Sequence, residues 1–317
     1  GGAARKGILI KGGNYIENLA DIDTVVLDKT GTITMGVPQI DHIETIDGVG
    51  DKEMILLAAS AEMHSVHPLA VAVQKYVNAK GWQTPLHASS ETVVARGMKA
   101  VVPPFENYEG GDILVGSRRF MTEEGVGGMP AVDNKTWGKN LLYIAKNGQY
   151  LGFLTIQDPI RPGMKKTLNR MRRLGIDEVV MLTGDSKDVA AEVAQDMDID
   201  SYYAEILPEE KANYVMKMQK RGNVMMVGDG INDAPALAFS DIGVSLGGNK
   251  TDIAAESAAI TIRSEDPAKL YDALHIGRET MRAINQNFTA TIAVNSAAML
   301  LGALGKISPL WAAVCLL

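Results

Sequence analysis

The chain has 317 residues, 46% of them hydrophobic and 22% charged, with a net charge of -7. That is long enough for two domains and a sizeable core, and an acidic chain with few aromatics and no basic stripe has no footprint for a nucleic-acid partner. The single cysteine, Cys315, excludes an internal disulfide framework and any Cys-x-x-Cys metal site.

Gly1 to Gly13 is a basic, glycine-punctuated lead-in that reads as a stalk or linker, with no apolar core of the signal-peptide kind. Tyr15 to Ala20 reads as a helical turn feeding the apolar run Val25-Val26-Leu27, which ends in Asp28-Lys29-Thr30-Gly31-Thr32. Gly36 and Pro38 then mark a hinge. Up to Asp158 the chain has its own elements. Asp51 can cap a helix to about Ala61, and Pro68 suits the first turn of a second, running to Lys80 and closed by Gly81. Strand-like runs follow at Thr92–Ala95, Lys99–Val102 and Ile113–Val115, and Asn147-Gly148 predicts a hairpin between Leu141–Ala145 and Tyr150–Ile156.

From Asp158 strands and helices alternate: helix Pro162–Leu174, strand Val179–Leu182, helix Lys187–Met197, helix Pro208–Arg221, strand Val224–Val227, helix Asn232–Phe239, and strands Ile242–Leu246 and Ala259–Ile262. That alternation predicts an α/β fold with a doubly wound parallel sheet. The Asp28 strand must join this sheet, so the antiparallel α+β region is an insertion. The expected domains are 1–36 with 158–275, an inserted 37–157, and a C-terminal segment 283–317.

No charged residue lies between Ala283 and Gly305, and this run, rich in Ala, Leu, Ile and Gly, is long enough for the ~20 apolar residues of a bilayer-spanning helix. A C-terminal transmembrane helix is therefore expected, with Ile307 to Leu317 a second, truncated span. Such a span needs partner helices, which makes the chain a fragment of a multi-pass protein of the cell membrane in a lipid bilayer. Arg278 and Arg282 just before the span put the globular part on the cytoplasmic side.

In an open α/β sheet, ligands bind beyond the carboxyl ends of the strands. Asp28 stands there, and a carboxylate so placed can act as a nucleophile toward a phosphoryl group. Alone it would read as the start of a turn, but three further stretches complete a site. Met181-Leu182-Thr183-Gly184-Asp185 offers a hydroxyl and a flexible glycine after a strand. Leu207-Pro208-Glu209-Glu210-Lys211 puts a lysine in a first helical turn, and Gly228-Asp229-Gly230-Ile231-Asn232-Asp233 puts two carboxylates and an amide after another strand. Phosphoryl transfer needs positioning and charge neutralisation, and Asp28, Thr183, Lys211 and the Asp229/Asp233 pair supply both. Mg²⁺, which takes one or two carboxylates with phosphate oxygens and waters, suits Asp28 and Asp229 with the Thr30 carbonyl, with Asp233 as a further candidate at the metal site.

This layout is similar to that of the haloacid-dehalogenase-like superfamily. Phosphatases of that superfamily carry a second Asp two places after the nucleophile, and here that place is Thr30, which cannot act as a base at neutral pH. The aspartyl-phosphate should therefore persist. Asp28-Lys29-Thr30-Gly31-Thr32-Ile33-Thr34, Thr183-Gly184-Asp185 and Gly228 to Leu237 resemble the signatures of P-type ATPases. The resemblance implies that the strand–helix region is a phosphorylation domain and the insertion a nucleotide-binding domain for ATP. Ser65-Val66-His67-Pro68 further resembles a motif of the heavy-metal-transporting branch, in which His67 and Glu62 would help hold the adenine.

Two places depart from that branch. Its Gly-x-Gly turn reads Ala95-Arg96-Gly97 here, where a β-carbon restricts close approach of the backbone, and its Gly-Asn reads Gly116-Ser117. His42 and His64 read as solvated polar residues, and most of the 16 methionines as core filler. Asn295 falls where the branch places a metal-selecting polar residue, although an amide bonding a neighbouring helix fits it as well. The transported ion stays open among zinc or cadmium, copper and manganese. The Thr-Gly-Glu loop of an actuator domain and a Cys-Pro membrane motif do not occur, so the resemblance expects an actuator domain and further membrane helices outside this chain. Two other readings are a soluble phosphatase with a large cap, which Thr30 and the apolar tail disfavour, and a regulatory nucleotide-binding module without catalysis.

Overall fold

The fold is that of a computed structural model, in which residues 2–93, 96–131, 140–229, 232–247 and 257–306 are described. The chain divides into two compact units: Gly1–Asp28 with Pro162–Gly184 and Val193–Leu317, and Lys29–Arg161 with Asp185–Glu192.

The first unit is built on a seven-stranded sheet in the spatial order Ile8–Ile10, Ile260–Ile262, Ile242–Leu246, Asn223–Gly228, Ile22–Asp28, Glu178–Leu182, Ser201–Tyr203. Every pairing is parallel except the edge strand Ile8–Ile10, which runs antiparallel to Ile260–Ile262. The lead-in expected to be a linker thus contributes an edge strand, anchored by Ile8 at 1% exposure. The central strands are continuous Val, Leu and Met runs because helices cover both faces of a parallel sheet. Val25, Val26, Leu27, Val180, Met225 and Met226 are all buried.

Several helices start later than the sequence indicates. The helix expected from Pro162 begins at Met164, after Gly163 at φ +81°. The one expected over Pro208–Arg221 is a short 3₁₀ turn, Pro208–Glu210, followed by Lys211–Met218.

The helix Ala268–Ala303 buries Leu270, Ala273, Leu274 and Gly277 near its start and Ala298 near its end. A β-carbon on Gly277 would come within 2.5 Å of Leu19 Cβ, so the glycine lets this helix lie directly on Asn14–Ala20. Further along, Ile284, Phe288, Ile292, Val294 and Leu300 are exposed. Among the described residues no helix is long and apolar enough to cross a membrane. The expected span rested on an absence of charge and on a run rich in Ala, Leu, Ile and Gly, but Asn285, Gln286, Asn287, Thr289, Thr291 and Asn295 dilute that run. Residues 307–317 lie outside the described residues.

The second unit carries a six-stranded antiparallel sheet in the order Gln39–Thr45, Gln149–Gln157, Asn140–Lys146, Gly111–Gly116, Gly97–Val102, Ser89–Val93. Helices Asp51–Ala61 and Pro68–Ala79 contribute Leu56, Leu57, Val73 and Val77 to a core shared with Ile113, Ile144, Leu154 and Ile156 of the sheet. Asn147 (φ +50°) and Gly148 (φ +74°) join their strands in the two-residue turn with positive φ that matches strand twist. Gly50 rather than Asp51 is the N-cap residue of the first helix, and Asp51 instead takes a hydrogen bond from Thr45 Oγ1 at 3.3 Å. The first strand, Gln39–Thr45, has no clear alternation in sequence and is set by its pairing with Gln149–Gln157.

Candidate functional site

Asp28 ends the strand Ile22–Asp28, which lies between Glu178–Leu182 and Asn223–Gly228. Register puts Asp28 opposite Leu182 and Leu27 opposite Val227. Thr183 and Asp229, just beyond the neighbouring strands, therefore emerge at the same rim of the sheet, where the strand order reverses. Thr183 is 2% exposed and fixed by backbone bonds, its N–H to the Tyr203 carbonyl at 3.0 Å and its carbonyl to the Ile206 N–H at 3.1 Å.

Lys211, the first residue of its helix, is 6% exposed. Its Nζ donates to Asp28 Oδ1 and to Asp233 Oδ1, both at 2.7 Å. The second oxygen of Asp233 accepts the Asp229 N–H at 3.2 Å, and Asp229 Oδ1 accepts the Asn232 N–H at 3.4 Å. Gly228 makes this possible, since a β-carbon there would stand 2.5 Å from Asp233 Oδ2. Asp28, Lys211, Asp229 and Asp233 thus form one linked set, with Asn232 on its exposed side. Gly230 and Ile231 lie outside the described residues.

The electrostatics follow from two carboxylates sharing one ammonium in a buried place. Burial and then the Asp233 carboxylate push the Asp28 carboxyl up to about 7, against the opposing pull of Lys211. Burial alone would lower Lys211, but Asp28 and Asp233 together outweigh it and hold the ammonium above the ordinary lysine range. The two directions agree: the lysine stays charged, and Asp28 is the carboxyl of the set that holds its proton most readily.

The segment after Asp28 belongs to the second unit. Lys29 pairs with Asp185 at 2.6 Å, and Thr30 is exposed in an extended conformation (φ -75°, ψ 122°) ahead of Gly31 at φ +73°. Two residues from the start of the strand–helix region secure this turn. Arg161, 3% exposed, donates through Nε to the Thr32 carbonyl at 3.0 Å and through Nη2 to the Gly31 carbonyl at 2.9 Å. Asp158 accepts from Thr34 Oγ1 at 2.5 Å, the Gly36 N–H at 3.0 Å and the Val37 N–H at 3.0 Å. Sequence reasoning used Asp158 only as a boundary and passed over Arg161. The signal available was the run Asp158-Pro159-Ile160-Arg161-Pro162, two charges and two prolines at a junction.

Glu62, His67, Gly97 and Gly116 are also in the second unit, lining a cavity of about 290 Å³ with Ser65 and Ser117. Gly97 and Gly116 face each other across paired strands, and the Phe120 ring packs where their side chains would be: a β-carbon on either would lie within 2.8 Å of Phe120 Cδ1. Ser117 Oγ accepts the Phe120 N–H at 3.2 Å, fixing that ring's backbone. Glu62 is 6% exposed, and burial raises its carboxyl above the usual range while a hydrogen bond from Ser65 opposes the shift. His67 caps Pro68–Ala79, its Nδ1 accepting the Leu69 N–H at 3.3 Å. Ala95 lies outside the described residues, and Asn295 is half-buried on the C-terminal helix with neither group.

Residues 22–241 match the model of the haloacid dehalogenase-like hydrolases. Over 99% of its length the chain is 38% identical to a zinc-exporting P-type ATPase of Mycobacterium marinum, spanning 43% of that protein. It is likewise 38% identical to a manganese-exporting P-type ATPase of Mycobacterium bovis, covering 99% of this chain and 44% of the relative. A crystal structure of a zinc-transporting PIB-type ATPase in an E2.Pi state superimposes with a TM-score of 0.85 at 29% identity, over 99% of this chain and 50% of that one. The chain thus spans less than half the length of these curated relatives.

Proposed function

The chain belongs to the haloacid dehalogenase-like hydrolase family, and from that premise we propose that it is the catalytic part of an ATP-driven exporter of a transition-metal cation, phosphorylated on Asp28. The observation that carries this reading is the buried contact of Lys211 with both Asp28 and Asp233 at 2.7 Å. An Asp at the end of a central strand, held by a lysine and pressed by a second carboxylate, is a positioned nucleophile rather than a turn residue.

In the proposed step an Asp28 oxygen attacks the γ-phosphorus of ATP in line. The bond to the bridging oxygen breaks, and ADP leaves with that electron pair. Lys211 balances charge on the transferring group, and Thr183 and the backbone after Asp28 orient its oxygens. Asp233 serves by holding Lys211 and the Asp229 N–H, since both its oxygens are engaged. The Glu62–His67 cavity is the adenine site of this reading.

Mg²⁺ fits the donor set. Asp28 and Asp229 offer carboxylate oxygens at the same rim of the sheet. That suits an ion that keeps its waters and takes only one or two carboxylates. When bound it would neutralise phosphate charge. Thr30 leaves no second carboxylate to activate water, so the acyl phosphate persists as an energy store for transport in the longer protein. There, an actuator domain would hydrolyse the intermediate, and further helices in a bilayer would pack on the exposed apolar residues after Arg282, with the catalytic units on the cytoplasmic side.

Incubation with γ-labelled ATP and Mg²⁺ tests the reading. Acid-stable, hydroxylamine-labile label on the chain, absent from Asp28→Asn, is expected. Steady hydrolysis of small phosphate esters with no labelled protein would point instead to a phosphatase, and ATP binding with no label to a regulatory module.

A further inference from the structure

Beside the Glu62–His67 turn the structure brings together two histidines that nothing in the phosphorylation chemistry uses. His64 lies in the turn after the helix Asp51–Ala61, and His87 in the segment leading to Ser89–Val93. Their ring centroids are 5.2 Å apart, with the ring planes at 84°. His87 Nδ1 stands 2.8 Å from the Ser60 carbonyl. A carbonyl can only accept, so Nδ1 carries the proton and Nε2 presents its lone pair. A carbonyl fixing one nitrogen so that the other is free to ligate is the usual outer-shell arrangement at histidine metal sites. His64 is exposed and has no hydrogen-bond or ion-pair partner among the described residues.

From these observations we propose that His64 and His87 form a binding site for a divalent transition-metal ion on the second unit. The spacing fits one ion. With metal–nitrogen bonds of ~2.0–2.1 Å in a tetrahedral site, two imidazole centroids stand ~5 Å apart. Imidazole favours zinc, copper and nickel over magnesium or calcium, so the site differs in chemistry from the carboxylate cluster at Asp28. Water completes the coordination, in keeping with two ligands at an exposed position. Binding would tie the turn that follows Ala61 to the segment before Ser89. Because Glu62, Ser65 and His67 line the neighbouring cavity, the ion would stiffen one wall of it. The site itself does not depend on what fills that cavity.

The test uses the whole chain, stripped with chelator and free of nucleotide, titrated with Zn²⁺ while the histidine ring resonances are followed. The His64 and His87 signals should move together, His42 should not follow them, and Mg²⁺ should move neither. In His64→Ala, the Zn²⁺ affinity read from the His87 ring should fall by ~10-fold or more. Amide exchange in the segment 60–67 should slow on Zn²⁺ addition in the unsubstituted chain and be unchanged in His64→Ala. An unaltered His87 response in His64→Ala, or no response of either ring to Zn²⁺, would overturn the assignment. Both histidines are at least partly exposed, and the unfolding midpoint of His64→Ala should match that of the unsubstituted chain.

Discussion

Asp233 and Lys211 meet at 2.7 Å inside the first unit, where Asp233 is fully buried and Lys211 6% exposed. The same ammonium reaches Asp28 at 2.7 Å. The carboxylates of Asp28 and Asp233 are therefore held through a single cation. That arrangement fixes the direction of the Asp28 side chain, and it makes that direction depend on Asp233 through Lys211.

Lys211→Ala should slow phosphorylation by ~10²-fold or more, the scale of losing one preorganised donor. It should also destabilise the first unit by ~3–5 kcal/mol, because two buried carboxylates lose their cation. Quench-flow labelling and denaturant unfolding of the same variant read the two effects. Labelling at the unsubstituted rate would remove Lys211 from the mechanism.

The raised Asp28 pKa predicts a pH dependence of stability whose sign can be worked out. The folded chain holds the Asp28 proton up to about pH 7, whereas the unfolded chain releases it near 3.8. The corresponding stabilisation is complete below the unfolded value and lost as pH rises through the folded one. Metal-free unfolding midpoints compared with Asp28→Asn should therefore show the unsubstituted chain losing ground between those two values. A constant difference across that window would contradict the buried, crowded carboxylate described here.

Gly228→Ala should act at a distance from the nucleophile. Its β-carbon would press within 2.8 Å of Asp233 Cβ, displacing the side chain that holds Lys211. Phosphorylation should fall while ATP-analogue affinity, measured by titration calorimetry, stays unchanged. A labelling rate equal to that of the unsubstituted chain would mean that Asp233 does not need its observed position.

Arg161→Ala removes donors from the Gly31 and Thr32 carbonyls in the turn after Asp28. Each buried carbonyl left unsatisfied costs about 1–3 kcal/mol, and the turn should relax. The expected outcome is slower labelling at saturating ATP with a lowered unfolding midpoint; Asp158→Asn, which sets an amide N–H against one of the donors that Asp158 accepts, should lower the midpoint as well. If Arg161→Ala labels at full rate, the turn needs no such clamp.

Much of this architecture is legible in the residues. The strand at Asp28, the helix Lys187–Met197 and the Asn147-Gly148 hairpin are local signals: a buried apolar run, an amphipathic repeat and a turn that needs positive φ. Ile8–Ile10 and Gln39–Thr45 are not legible because their conformations come from the strands beside them. The same division runs through the site. The Asp28, Lys211 and Asp229 stretches stand out by residue type at strand and helix ends. The grip of Asp233 on Lys211 depends on the absent side chain of Gly228, and the hold of Arg161 on Gly31 and Thr32 spans 129 or more residues of chain. Neither follows from periodicity or spacing.

The central claim is that one carboxyl accepts the phosphoryl group. Borohydride reduction of the ATP-treated chain converts an acyl phosphate to an alcohol, and peptide mass spectrometry then locates it. Homoserine at position 28, dependent on ATP and Mg²⁺, is the predicted result; an unmodified Asp28 in chain that carries label elsewhere would contradict the account.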